Sequence, residues 1–221
     1  MMAYLFVSDY DRTLADEKDG FVIRENLAEF INHFSSKYPF FVVTGRERRF
    51  ISRLAPSLKP TGWVLENGAI ILYGEKTYIN APKNWAEIRK EIIKRLEEKE
   101  IKYSVGEVII YVNNIDSSSL DLHLEDAKVE WNRTDAMILP KDVDKGRGVL
   151  FIKNLLNFKG KVIALGDSQN DIPLFRVADV KVAVSNALPE IKEIADVVLD
   201  KPNGQGIIDF LSKILSGEIF L

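Results

Sequence analysis

Tyr4-Leu-Phe-Val-Ser8, followed at once by Asp9-Tyr10-Asp11-Arg12-Thr13, decides how this chain is read. A continuous apolar run that ends in a polar residue suits a parallel strand buried on both faces. In a parallel α/β sheet, ligand sites form beyond the carboxyl ends of strands, and both acids stand there. A turn beginning at Tyr10 lets both carboxylates face one pocket. Taken alone, D-x-D is better explained as an acidic turn closing a strand, and other segments must change those odds.

Outward from that strand, residues 24–38 place Leu27, Phe30, Ile31 and Phe34 at helical spacing. Residues 40–44 (FFVVT) read as a second buried strand and 63–66 as a third, an order that implies a parallel sheet with right-handed crossovers. The last third repeats the rhythm: helix 148–156, strand 162–165, short helix 172–177, strand 180–184, helix 188–195 and a closing helix over 206–214. The middle differs. Residues 84–99 form a charged helix with Trp85, Ile88, Ile92 and Leu96 on one face, followed by strands at 107–112, 129–133 and 136–139. Residues 117–126 fit either a strand, by the alternation of Leu120, Leu122 and Leu124, or a helix start. The fold class expected is α/β, a Rossmann-like parallel sheet core (1–80 and 142–221) with an inserted α/β cap (81–141).

Composition narrows the chemistry. The chain has 221 residues, a net charge of −3, two histidines (His33 and His123) and no cysteine. Thiolate nucleophiles, disulfides and Cys-ligated metals are therefore excluded, and two histidines argue against a multi-histidine metal site. The insert carries ten basic and twelve acidic residues, unlike a nucleic-acid platform. No apolar run reaches membrane-spanning length, and the start lacks a signal-peptide pattern. The expected partner is a small molecule rather than nucleic acid or membrane, the expected compartment the cytoplasm, and the expected state a monomer or homodimer.

Three further segments carry chemistry. Leu165-Gly-Asp167-Ser-Gln-Asn170-Asp171 follows another buried strand, so its acids lie at the same sheet edge. Capping of a short helix is the bland explanation. Two acidic strand ends, neither with enough local base to neutralise it, favour a hard divalent cation instead, and magnesium takes oxygen ligands. Thr44-Gly45-Arg46 ends the second strand with a hydroxyl and free N–H groups suited to a phosphate oxygen. Lys145, in DVDKGRG just before the 148–156 helix, can neutralise a phosphate as a point charge.

DYDRT, TGR, the isolated Lys145 and GDSQND occur in the order and sheet positions of the haloacid dehalogenase superfamily, which the chain resembles over nearly its whole length. The insert, WVLENGA (63–69) and IADVVLD (194–200) resemble its Cof-like branch. Within that branch the length and short cap are most similar to archaeal-type phosphoglycolate phosphatases and their sucrose-phosphate phosphatase relatives. The resemblance implies a magnesium-dependent phosphatase acting on a small phosphorylated metabolite through a phospho-aspartate, with a sugar-phosphate phosphomutase or phosphotransferase as the alternative. It makes Asp9 the nucleophile and Asp11 the general acid/base. It gives Asp9, the backbone carbonyl of Asp11 and Asp167 to magnesium, with Asp171 as a further ligand or supporting partner. Thr44, Gly45, Lys145 and Asn170 would receive the phosphoryl group. Arg12 departs from the pattern, which usually has glycine there. Arg133 is weighed evenly between substrate contact and surface residue, whereas His123 is expected to be structural or exposed, and Trp85 and Trp131 to belong to the core of the insert.

Overall fold

The computed structural model describes residues 4–120, 122 and 125–221. Its strands are β1 (Tyr4–Ser8), β2 (Phe40–Val43), β3 (Gly62–Leu65), β4 (Ile70–Tyr73), β5 (Lys76–Ile79), β6 (Ser104–Val105), β7 (Ile110–Val112), β8 (Ala127–Asn132), β9 (Asp135–Pro140), β10 (Lys161–Gly166), β11 (Val180–Ala183) and β12 (Val197–Val198). Its α-helices are α1 (Glu25–Ser35), α2 (Arg48–Leu54), α3 (Trp85–Glu98), α4 (Lys145–Leu155), α5 (Ile172–Arg176), α6 (Pro189–Ile194) and α7 (Asn203–Ser216). Among the described residues no helix is long and apolar enough to cross a membrane.

The large sheet runs β12-β11-β10-β1-β2-β3-β4-β5, and the small one β6-β7-β9-β8. Every residue of β1 and β2 is buried, as their unbroken apolar runs require of strands covered on both faces. Ser8 is in register with Leu165 on one side and Val42 on the other. That register brings the residues after β1, β10 and β2 out of the sheet together, beyond its carboxyl edge. On one face, α1 buries Leu27, Ala28, Ile31 and Phe34. The Phe6 and Phe34 rings meet edge to face at 4.9 Å, a favoured quadrupole geometry.

Three expectations change. The parallel sheet is extended by an antiparallel β4–β5 hairpin, so it is mixed; Gly74, at φ 58° in its turn, is the local cue to that reversal. Helix α4 begins at Lys145, not Gly148. The Asp144 side chain caps it by accepting from the N–H of Arg147 at 2.7 Å. Its two glycines lower helix propensity on paper, yet a Cβ on Gly146 would lie 2.2 Å from the carbonyl oxygen of Pro173, and one on Gly148 2.6 Å from Val64. Close approach to α5 and β3 selects glycine there. Third, β7 starts at Ile110 because residues 107–109 turn their N–H groups to a side chain of the core, described below. In the ambiguous stretch, Ser117–Ser119 form a 3₁₀ turn; His123 and Leu124 lie outside the described residues. Trp85 is buried and its indole N–H donates to the carbonyl of Val108 at 2.7 Å, while Trp131 is packed against the core.

Candidate active site

Asp9 leaves β1 already buried, its N–H held by the carbonyl of Leu165. Lys145, at the start of α4, is fully buried and donates to Asp9 Oδ1 at 2.5 Å and Asp171 Oδ1 at 2.7 Å. The other oxygen of Asp171 accepts the N–H groups of Asp167 and Ser168 at 2.8 and 3.1 Å. Asp171 thus has both oxygens engaged inside the protein, holding the lysine and the turn after β10. Asp167 accepts from Ser168 Oγ at 2.8 Å and from Thr13 Oγ1 at 3.4 Å.

One oxygen each from Asp9, Asp167 and Asp171 lies within 4.8 Å of the others, and all three residues are buried. Burial, then repulsion from Asp171, pushes the Asp9 carboxyl well up against the opposing pull of Lys145. Asp167 is pushed up to about 6, again by burial first and Asp171 second. Burial works against the charge on Lys145, but Asp171 and Asp9 outweigh it and keep the ammonium protonated. One lysine therefore does not satisfy three buried carboxylates. An oxygen-only donor set short of positive charge fits a hard divalent cation such as magnesium.

Asp11 faces the neighbouring cavity and is held differently. The Arg46 guanidinium grips it in a fork, Nη2 to Oδ1 at 2.6 Å and Nε to both oxygens at 2.8 and 2.9 Å. Tyr10, between the two acids, points into the core and donates to the carbonyl of Phe21 at 2.8 Å. Thus the turn at Tyr10 does bring both carboxylates to one cavity, of about 390 Å³, whose wall also includes Gly45, Asn170 and Arg46. Thr44 is fully buried, its hydroxyl oxygen accepting the N–H of Arg46 at 3.1 Å. It braces the turn and does not line the cavity. Asn170 donates to Asn67 Oδ1 at 3.3 Å.

The small sheet forms the opposite wall through Tyr111, Asn113, Asn114, Asn132 and Met137. Tyr111 donates to the carbonyl of Gly45 at 2.7 Å, and a Cβ on Gly45 would lie 2.9 Å from the sulfur of Met137. Arg133, in the β8–β9 turn, reaches across to Asp167 at 3.3 Å. An insert residue therefore touches the acidic cluster, although every expected chemical residue lies outside the insert.

The two walls are joined by Glu66. Its carboxylate is fully buried and accepts the N–H groups of Glu107, Val108 and Ile109 at 2.8, 2.8 and 2.9 Å. Burial raises its pKa, with those three bonds opposing. Gly106 leaves room for it, since a Cβ there would come within 2.6 Å of the carboxylate. Glu66 stood in the quoted WVLENGA run without any assigned task, because nothing local marks its partner. Of the basic trio after β2, Arg46 faces the cavity, Arg48 pairs with Glu107 and Arg49 with Glu47.

The model of the haloacid dehalogenase-like hydrolases matches residues 6–135 and 122–211. The chain is 55% identical over 218 residues to the phosphoglycolate phosphatase of Sulfurisphaera tokodaii, covering 98% of this chain and 96% of that one. It is also 55% identical over 218 residues to phosphoglycolate phosphatase 2 of Saccharolobus solfataricus, covering 97% and 93%. Among solved structures, a COF-like hydrolase from Plasmodium vivax superimposes with a TM-score of 0.82 at 18% identity, covering 98% of this chain and 96% of that one. With sequence, sheet order and the acidic strand ends in agreement, the chain belongs to the haloacid dehalogenase-like hydrolases, among relatives that are phosphatases.

Proposed function

We propose that this protein is a magnesium-dependent phosphoric monoester hydrolase that cleaves phosphoglycolate through a phospho-aspartate at Asp9. The observation that carries the reading is the buried Asp9–Lys145–Asp171 chain beside Asp167, opening on a cavity that Asp11 also faces. The two relatives at 55% identity support the substrate. We further take 1–80 and 142–221 as the catalytic core and 81–141 as the cap, with a cytoplasmic setting.

In this mechanism an oxygen of Asp9 attacks phosphorus while the ester bond breaks, its electron pair leaving on the alkoxide of the alcohol. Asp11 donates the proton that neutralises that alkoxide. Water then attacks phosphorus, Asp11 takes its proton, and the bond to Asp9 breaks to restore the carboxylate. Two displacements replace one difficult step. Lys145 holds Asp9 in position and offsets charge as two anions approach. The N–H of Gly45, with Asn170, orients the phosphoryl oxygens, and Thr44 acts by bracing the turn. Asp9, Asp167 and the backbone carbonyl of Asp11 would hold magnesium, which would supply further charge neutralisation. Asp171, with both oxygens engaged, acts as the support of Lys145 and of the 167–168 turn.

Phosphate release from phosphoglycolate, measured after chelation and after magnesium add-back, tests the reading. Activity is expected to vanish with the metal and return with it. Undiminished hydrolysis in metal-free buffer, or none of phosphoglycolate with magnesium present, overturns it.

A further inference from the structure

Arg12 and Phe21 both adopt backbone conformations that bulky L-residues avoid. Their φ angles are 59° and 62°, in the left-handed region where glycine sits at no steric cost. Strain of this kind persists only where the surrounding structure holds it, and it concentrates at functional sites. Here the backbone is held at both points: the carbonyl of Arg12 accepts from Asn186 Nδ2 at 2.8 Å, and that of Phe21 from Tyr10 Oη at 2.8 Å.

What the two strained residues produce is a stack. The guanidinium of Arg12 lies 5.1 Å from the centre of the Phe21 ring, and that of Arg46 lies 4.9 Å from the same centre. Each distance falls within cation–π range. All three residues line the cavity that Asp9 and Asp11 face. Two like charges sharing one ring repel unless anions stand nearby, and each has one. Arg12 pairs with Glu17, an exposed carboxylate whose hold is weak and exchangeable. Arg46 pairs with Asp11, the group that must move protons in the proposed reaction. As long as the fork on Asp11 stays closed, both its oxygens are occupied.

We infer that Arg12 and Arg46, carried on Phe21, form the subsite for the carboxylate of the substrate. The inference rests on the phosphatase reading above and names the residues that select an anionic leaving group. A carboxylate one methylene from the ester oxygen lies on the Asp11 side of the cavity, within the field of both guanidiniums. Arg46 exchanges Asp11 for the substrate carboxylate, and Asp11 becomes free to serve the ester oxygen. A neutral alcohol phosphate offers no such exchange. Selection therefore acts on turnover as well as on binding.

The test compares kcat/KM for phosphoglycolate with that for ethyl phosphate, its counterpart of similar size without the carboxylate. Wild type, Arg12→Gly and Arg12→Lys are each measured with magnesium present. Glycine accepts this backbone conformation freely, so Arg12→Gly is expected to fold. Wild type should prefer phosphoglycolate. Arg12→Gly should cut that preference by about 10- to 100-fold, the worth of a hydrogen bond between charged groups. Arg12→Lys should restore part of it. A preference in Arg12→Gly within about twofold of wild type, on the same hydrogen-bond scale, overturns the subsite and leaves the phosphatase reading standing. Wild type that hydrolyses ethyl phosphate as well as phosphoglycolate overturns the subsite and the substrate assignment together.

Discussion

The floor and the roof of the cavity are built from opposite materials. The floor, at the carboxyl ends of β1 and β10 and the start of α4, packs three carboxylates and an ammonium into nearly complete burial. The roof, from the small sheet, presents the phenol of Tyr111 and the amides of Asn113, Asn114 and Asn132, with Asp135 among them as a carboxylate. Buried charges are poor stabilisers, since desolvation offsets much of their attraction. Their concentration in the floor is explained by phosphoryl chemistry, which is largely charge compensation. A roof of amides can read the rest of a substrate without competing for its phosphate.

Lys145→Ala should have the largest effect. It strips the ammonium from Asp9 and Asp171 together, so turnover of every substrate should fall, on the order of 10²- to 10³-fold, as when a stabilising donor is removed. Asn113→Ala in the roof should instead reorder substrates, with kcat for p-nitrophenyl phosphate changing by no more than about tenfold, the scale of one neutral hydrogen bond. Steady-state kinetics of both variants on one substrate panel decides. If Lys145→Ala altered only the ranking, floor and roof would not divide the work in this way.

Glu66→Gln should come next. An amide offers one acceptor oxygen and sets a donor against the N–H groups of 107–109, leaving at least one of them unsatisfied. The cost should be about 1–3 kcal/mol, read from urea denaturation. A difference below about 0.5 kcal/mol would mean that the clamp contributes little.

Glu130 gives the smallest effect and a defined pH dependence. Burial pushes its carboxyl up from 4.5 to about 7, with Lys128 and Lys145 opposing and Asp144 adding to the rise. Across that interval the folded protein keeps a proton that the unfolded chain has released. Stability therefore falls as pH rises through the window, and the loss is complete above it. Glu130→Gln should remove this dependence, so its stability relative to wild type should be higher at pH 8 than at pH 4. Melting curves at the two pH values would show it. An equal difference from wild type at both would refute the shift.

The floor was more legible in sequence than the roof, for a physical reason. Asp9 and Asp167 follow short apolar runs, so local pattern alone sends them to the carboxyl edge of a sheet. Lys145 opens α4, whose first turn the sequence disguises with Gly146 and Gly148. The contact of Glu66 with residues 107–109 spans more than 40 positions. No periodicity encodes such a contact; it exists only once the small sheet has folded over the large one. Likewise Arg46 stands in the TGR segment, but its fork on Asp11 and its shared ring, Phe21, follow from tertiary placement. Arg12 was conspicuous as a departure from the family pattern, and the positive φ now says what that departure costs.

The division between floor and roof depends finally on Asp9 being the atom donor to phosphorus. Rapid quenching during turnover with magnesium and phosphoglycolate, followed by borohydride reduction, converts an aspartyl phosphate to homoserine, which peptide mass spectrometry locates. Homoserine is expected at position 9, only with substrate present, and not in Asp9→Asn. Substrate-dependent homoserine at another aspartate, or retention of wild-type turnover by Asp9→Asn with deamidation excluded, would contradict the assignment.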